Sequence, residues 1–212
     1  GTLQTDATLS ASPLWLNRHT SLVSGGSFNS ITAEYNATIS VGTSSAEPAT
    51  LTASNVTLNF GSRLALQLFS NGKADCLSAK SINAVVNTAS IKDELTYSKP
   101  IIDISTALLS DSETLPEGKY LIAQCTEGSL SVDNFTLVAP QDYKITLVTD
   151  DTNKKLYANP EHLRDPQTIY WRGSASSNVW DFNNTANFVD QDGNPIGFVS
   201  GDNVIFADNA VA

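Results

Sequence analysis

The sequence predicts an all-β chain whose larger part is a right-handed parallel β-helix, a solenoid of stacked strands. Three observations predict it. Asn, Ser and Thr sit inside the strand-like runs as well as between them, as the polar ladders of directly stacked coils require. The pattern persists without the tight two-residue hairpin signatures that antiparallel sandwiches usually show. Strand-rich units recur at roughly 20–25 residues, a spacing typical of a solenoid coil. A β-sandwich predicts the same short strands and frequent turns, so the spacing decides between them.

Taken in order, TLQTDATLSA from Thr2, SITAEYNATISV from Ser30, ATLTASNVTLNF from Ala49 and RLALQLF from Arg63 alternate apolar and small polar residues with period two. Each therefore reads as a strand. Gly25-Gly26, Gly42, Glu47-Pro48, Gly61 and Asn71-Gly72 supply the turns between them. Helical signals are nearly absent: Ile104–Leu109 is the one stretch read as a helical turn, and Pro116 and Gly118 mark the loop beyond it. A stacked coil leaves its last edge open to foreign strands. The turn and charges of TDDTNKK, Thr149–Lys155, suit a capping hairpin there. The predicted organisation is a β-helix body with terminal hairpin over 1–158, a linker over 159–168 and a further strand segment over 169–212. The linker carries Pro160 and Pro166 with Glu161, His162, Arg164 and Asp165.

Composition narrows the class. Charged residues are 16% and apolar residues 41%, which marks a folded chain. A net charge of −10 without Lys or Arg clusters argues against nucleic acid and anionic lipid as partners. The acidity is read as solubility in an extracellular setting, with calcium collection on an acidic face as the lesser reading. No apolar run approaches membrane-spanning length, so no membrane insertion is predicted for this segment. The lack of Met predicts an internal piece or processed product of a longer protein. Cys76 and Cys125 lie in different strand-like runs, and their spacing matches neither a cysteine framework nor a metal site. Two buried small hydrophobes are the favoured reading, with a disulfide left open.

The last quarter is the most patterned. Trp171, Gly173, Trp180, Asp181 and Asn187, then Gly201, Asp202, Val204 and Phe206, spell W-x-G, W-D, a polar gap and G-D-x-V-x-F. Aromatic residues recur beside turn formers, as in short strands joined at corners. Trp171 and Trp180 are read as covering an apolar end. This pattern resembles the strand repeat in passenger regions of autotransporter-type bacterial surface proteins, the autotransporter-associated β-strand repeat family. LALQLFSNGKADCLSAKSI is similar to the passenger run of strand, polar turn and D-x-L, with Asp75 and Leu77 in the matching places. Gly118, Tyr120, Leu121 and Ile122, then Tyr143, Ile145, Leu147 and Leu156, resemble the segments that finish a passenger β-helix. The resemblance covers most of residues 50–212. It implies a non-enzymatic structural or adhesive role in a secreted or surface-displayed protein, outside a Gram-negative cell. It also implies host glycans or surface proteins, and neighbouring repeats of the same chain, as partners.

Motifs for chemistry are sparse. His19 follows Asn17 and Arg18 in a turn and His162 lies in the linker, neither in a nucleophile-elbow context, so both read as loop histidines. Asp190–Asn194 opens like an EF-hand loop, but its twelfth position is Gly201 where a bidentate Glu is needed, so a β-turn fits better. Asp75, Asp93, Glu94 and Asp103 are the mid-chain carboxylates that a carbohydrate-active enzyme would need in pairs. Adjacent Asp93 and Glu94 would face opposite sides of a strand, and with Lys92 and Lys99 nearby they read as a solvated loop. Asn36, Asn55, Asn134 and Asn183 open Asn-x-Thr triplets, acceptors only in a eukaryotic secreted protein. Trp15, Tyr35, Tyr97, Trp171 and Trp180 are candidates for a glycan-stacking platform. No catalytic, cofactor-binding or metal-binding residue is assigned, and no cofactor is expected. A carbohydrate-active enzyme or glycan-binding module on a β scaffold is the alternative.

Overall fold

The computed structural model describes residues 1–42, 46–88, 96–107, 114–173, 180, 187–199 and 201–206. They divide into two compact units, residues 1–140 with 145–160, and residues 141–144 with 161–212. Numbered along the chain, the early strands are β1 (Thr2–Gln4), β2 (Thr8–Leu16), β3 (Ser21–Ser24), β4 (Ser27–Ala33), β5 (Thr38–Val41) and β6 (Thr50–Leu58). Then come β7 (Arg63–Phe69), β8 (Cys76–Ala84), β9 (Ile101–Ala107), β10 (Tyr120–Cys125), β11 (Thr136–Val138), β12 (Tyr143–Thr149) and β13 (Lys155–His162). One 3-10 turn, Val132–Asn134, starts at Ser131, whose side chain accepts from the Asp133 amide.

Strands enter two sheets alternately. One sheet runs β1-β3-β5-β7-β9-β11 and the other β2-β4-β6-β8-β10-β13-β12. Every odd-numbered pairing from β1 to β11 is parallel, as is every even-numbered pairing from β2 to β10. At the end of the second sheet β13 turns against β10, antiparallel. The chain is thus all-β with parallel sheets.

Register puts like on like. Leu3, Leu22, Ile39, Leu64, Ile102 and Leu137 form one ladder across the first sheet. Leu14, Ile31, Val56 and Ile82 form another across the second. Leu22, Ile39 and Ile102 are wholly buried, and so are Leu51 and Leu77, a further register pair. Each such side chain contributes about 1.5–3 kcal/mol by leaving water. Because a one-residue slip would turn these ladders outward, the alternation in the sequence fixes the register.

The turns stack as well. Asn17–Thr20, Glu34–Ala37 and Asn59–Ser62 each close with an amide donating to the carbonyl three residues back, at 3.2, 2.9 and 2.9 Å. Their third residues, His19, Asn36 and Gly61, all take positive φ (61°, 59° and 70°). The His19 amide donates to Asn36, that of Asn36 to Gly61, and that of Gly61 to Lys99. Their second residues pile up too. The Arg18 guanidinium lies over the Tyr35 ring at 5.5 Å, and Tyr35 meets Phe60 at 5.8 Å.

Several expectations need correction. Ser30–Val41 and Thr2–Ala11 are each two strands rather than one, broken at Glu34–Ala37 and at Thr5–Ala7. Ile104–Ala107 is strand β9, because its register with β7 outweighs any local helical preference; residues 108–109 of that reading lie outside the described residues. Asn71-Gly72 does make a tight reversal, with Leu68 bridged antiparallel to Ala74 and the Phe69 amide donating to the Lys73 carbonyl at 2.9 Å. Residues 159–162 of the expected linker continue β13, where Pro160 is buried.

In the second unit a small sheet orders β16 (Pro195–Ile196), β15 (Phe188–Val189), β14 (Thr168–Trp171) and β17 (Asn203–Phe206). Here β14 pairs parallel with β17 and antiparallel with β15.

Candidate functional site

The outward positions of the second sheet are polar ladders. Ser27, Thr52, Ser78 and Gln124 share one register row, as do Ser30, Asn55 and Ser81. Ser27 and Thr52 hydroxyls meet at 2.5 Å, Gln124 Nε2 donates to Ser78 Oγ at 3.1 Å, and Ser81 Oγ donates to Asn55 Oδ1 at 2.7 Å. On the first sheet Arg63 pairs with Asp103 at 2.5 Å on half-exposed strands. These contacts join residues 25 to 46 apart in sequence, so they tie one strand to the next.

The carboxylates singled out in the sequence do not assemble into a catalytic pair. Asp75 is fully buried and accepts from the Ala49 amide at 2.9 Å and the Gln67 amide at 3.0 Å. Burial pushes its carboxyl above the ordinary value, against those two hydrogen bonds. It acts as a pin between chain segments. Asp103 is held by Arg63, while Lys92, Asp93 and Glu94 lie outside the described residues. His19 is an exposed turn residue, and the His162 ring packs on Tyr143 at 5.2 Å. Asp190 Oδ1 accepts from the Asp192 and Asn194 amides at 2.9 Å each, and the Asn194 hydrogen bonds pull its carboxyl down, so Asp190–Asn194 is the β-turn. Among the described residues no three His, Cys, Asp or Glu side chains gather as metal ligands.

Cys76 and Cys125 are buried free thiols. Burial, helped by the Asp75 charge, raises Cys76 to about 11. Asn36 occupies a positive-φ turn, Asn55 sits in a polar ladder, Asn134 ends the 3-10 turn, and Asn183 lies outside the described residues.

The candidate aromatics separate. Tyr35 is buried in the turn stack, and its hydroxyl accepts from the Thr96 amide at 3.1 Å; Tyr97 is half-buried. Trp15 is 63% exposed on β2, an edge strand. In the second unit register alone sets Phe188, Trp171 and Phe206 side by side on three adjacent strands. Trp171 meets Phe188 edge-on at 4.9 Å, and Trp180 stacks on Trp171 at 6.0 Å while meeting Phe198 at 5.2 Å. The W-x-G, W-D and G-D-x-V-x-F words therefore spell one aromatic cluster. It leaves Trp180 47% and Phe206 63% exposed.

No model of a known protein family matches this chain, and no curated protein matches it. The reading of its role therefore rests on its own residues.

Sequence reasoning passed over two features. The Arg18–Tyr35–Phe60 turn stack was signalled by four-residue turns with His, Asn or Gly in third place, at spacings too irregular to align. The Arg164–Asp202 pair was hidden because Arg164 sat in a presumed linker. Its guanidinium grips Asp202 at both oxygens (2.8 and 2.6 Å) and reaches the Gly197 carbonyl at 2.7 Å.

Proposed function

We propose that this chain is a stretch of right-handed parallel β-helix acting as a non-enzymatic structural and adhesive scaffold. It belongs, on this reading, to a secreted or surface-displayed protein of autotransporter type, carried outside a Gram-negative cell. The observation that carries the reading is the strand order: odd strands build one parallel sheet, even strands the other, and register holds from strand to strand. A chain that alternates between two parallel sheets winds as a coil, and such crossovers are overwhelmingly right-handed. Stacked backbone hydrogen bonds and side-chain ladders make a stiff body without a cofactor. Contacts between neighbouring coils let folding propagate without an external energy source. The polar exterior and the exposed Trp15, Trp180 and Phe206 supply surface for adhesion.

Deleting one whole coil tests the scaffold. Thr38 and Arg63 are register partners, so removing residues 38–62 joins Ala37 to Arg63 and brings β7 against β3 and β8 against β4 in unchanged register. A coil stack keeps its β circular dichroism and unfolds cooperatively at lower denaturant; loss of the folded state overturns the reading. For the role, the full chain is displayed on a non-adherent Gram-negative cell and attachment to host cells is counted. Unchanged attachment, or turnover of a polysaccharide by the purified chain, refutes the adhesive, non-enzymatic assignment.

A further inference from the structure

The second sheet opens between β8 and β10. Their parallel ladder starts only at Leu77 and Ala123. Ahead of it, Tyr120 and Leu121 are paired on the β13 side, with Ala158 and Tyr157, and the register shifts between Leu121 and Ala123. Such a bulge re-aims the side chains around it. Opposite, the chain reaches β8 through the Asn71-Gly72 reversal, which carries Lys73 alongside. The separation leaves a cavity of about 410 Å³, within the range of small-molecule sites of about 300–1,000 Å³.

Its lining is selective. Lys73 and Lys119 both face it, and among the described residues no carboxylate does. In a chain of net charge −10 this is a local reversal of sign. Four other cations, Arg63, Lys80, Lys144 and Arg164, are spent in ion pairs, whereas among the described residues neither Lys73 nor Lys119 enters one. Asp75 is next in sequence to Cys76 but fully buried, both oxygens taken by amides. Thr50 and Gln124 add a hydroxyl and an amide, and Leu121 and Cys76 an apolar surface. With its thiol raised to about 11, Cys76 stays neutral at physiological pH.

We propose that this opening between β8 and β10 binds an acidic oligosaccharide, a sugar chain bearing carboxylates, with Lys73 and Lys119 taking the charges. Thr50 and Gln124 answer the ring hydroxyls, and Leu121 with Cys76 takes the apolar C–H face of a ring. The site stands apart from the scaffold role and does not need it.

The test titrates the full chain with an oligogalacturonate of three residues by calorimetry. Matched arms are a neutral trisaccharide, inorganic phosphate and an acidic peptide of equal charge. Saturable binding of the galacturonate alone is expected, weakening as salt rises. Lys73→Gln with Lys119→Gln is expected to lower the affinity at least tenfold with circular dichroism unchanged, and each single variant to lower it less. No binding, equal binding of any other arm, or full affinity in the folded double variant overturns the proposal. Because the coil-deletion result depends on stacking alone, either idea can fail without the other.

Discussion

Gly61 and Gly72 have the same backbone and different surroundings. Both take positive φ, 70° and 80°. A methyl on Gly72 meets open space, whereas one on Gly61 overlaps the Tyr35 ring. Left-handed backbone costs a non-glycine residue about 1–2 kcal/mol, and forcing atoms into a packed site costs about 1–3 kcal/mol more. Gly72→Ala should therefore lose about 1–2 kcal/mol and Gly61→Ala about 2–5 kcal/mol, read from urea midpoints at constant m-value. Equal losses would mean that Tyr35 moves aside freely. Asp75 makes a second residue-scale prediction, through pH. Its carboxyl is raised above the ordinary 3.8, chiefly by burial, so the native state holds the proton more tightly than the unfolded chain does. That contribution is fully present below 3.8 and is lost as pH rises through the raised folded value. Subtracting the stability of Asp75→Asn from that of the parent at each pH should give a difference that falls over this window. A rising difference would reverse the assignment.

At the scale of the element, the Arg164–Asp202 ion pair joins separate segments of the second unit. Asp202 takes Arg164 bidentately and accepts from the Gln167 amide at 2.9 Å and the Val199 amide at 2.9 Å, with its side chain wholly buried. Burial alone would raise the carboxyl, but the Arg164 hydrogen bonds, the two amides and the Arg164 charge outweigh it and hold it below its ordinary value. This stabilisation is present above 3.8 and disappears as pH falls through the depressed folded value. Removing one partner of a buried pair costs about 3–5 kcal/mol because the other charge is stranded. Asp202→Ala should therefore unfold the Trp171 cluster first, seen as an early red shift of tryptophan emission. Arg164→Met, which leaves Asp202 with its two amides, should do so less. An identical shift in both would show that the amides matter little. Part of this element was legible in the sequence. Gly201-Asp202 and the aromatic spacing were conspicuous as words, because β-turn chemistry and cross-strand aromatic rows recur at short range. The partner Arg164 was not, since nothing local distinguishes a gripping arginine from a solvated one.

For the whole molecule, the same contrast between local and distant information decides what could be read. Alternation in Arg63–Phe69 and Ala49–Phe60 announced strands, and the polar residues within the runs pointed to parallel neighbours, which the ladders Ser27–Thr52–Ser78 and Ser30–Asn55–Ser81 bear out. The opening between β8 and β10 was invisible, because it arises where pairing stops, and no single segment encodes that. Ladder pairing also carries a dynamic consequence. In a stack where each strand contacts only its neighbours, opening proceeds from the ends, so stability varies along the sheet. In the second sheet β2 has one partner and exposes Leu9 (42%) and Trp15 (63%), while β6 and β8 have partners on both sides and bury Leu51 and Leu77 completely. Hydrogen exchange of the full chain should therefore find the β2 amides exchanging orders of magnitude faster than those of β6 and β8, with β4 between. The ranking should persist in mild denaturant, converging only near the midpoint. If β2 exchanged as slowly as β8 under native conditions, the sheet would open as one unit, and neighbour-by-neighbour coupling would be the wrong description of how this chain holds together.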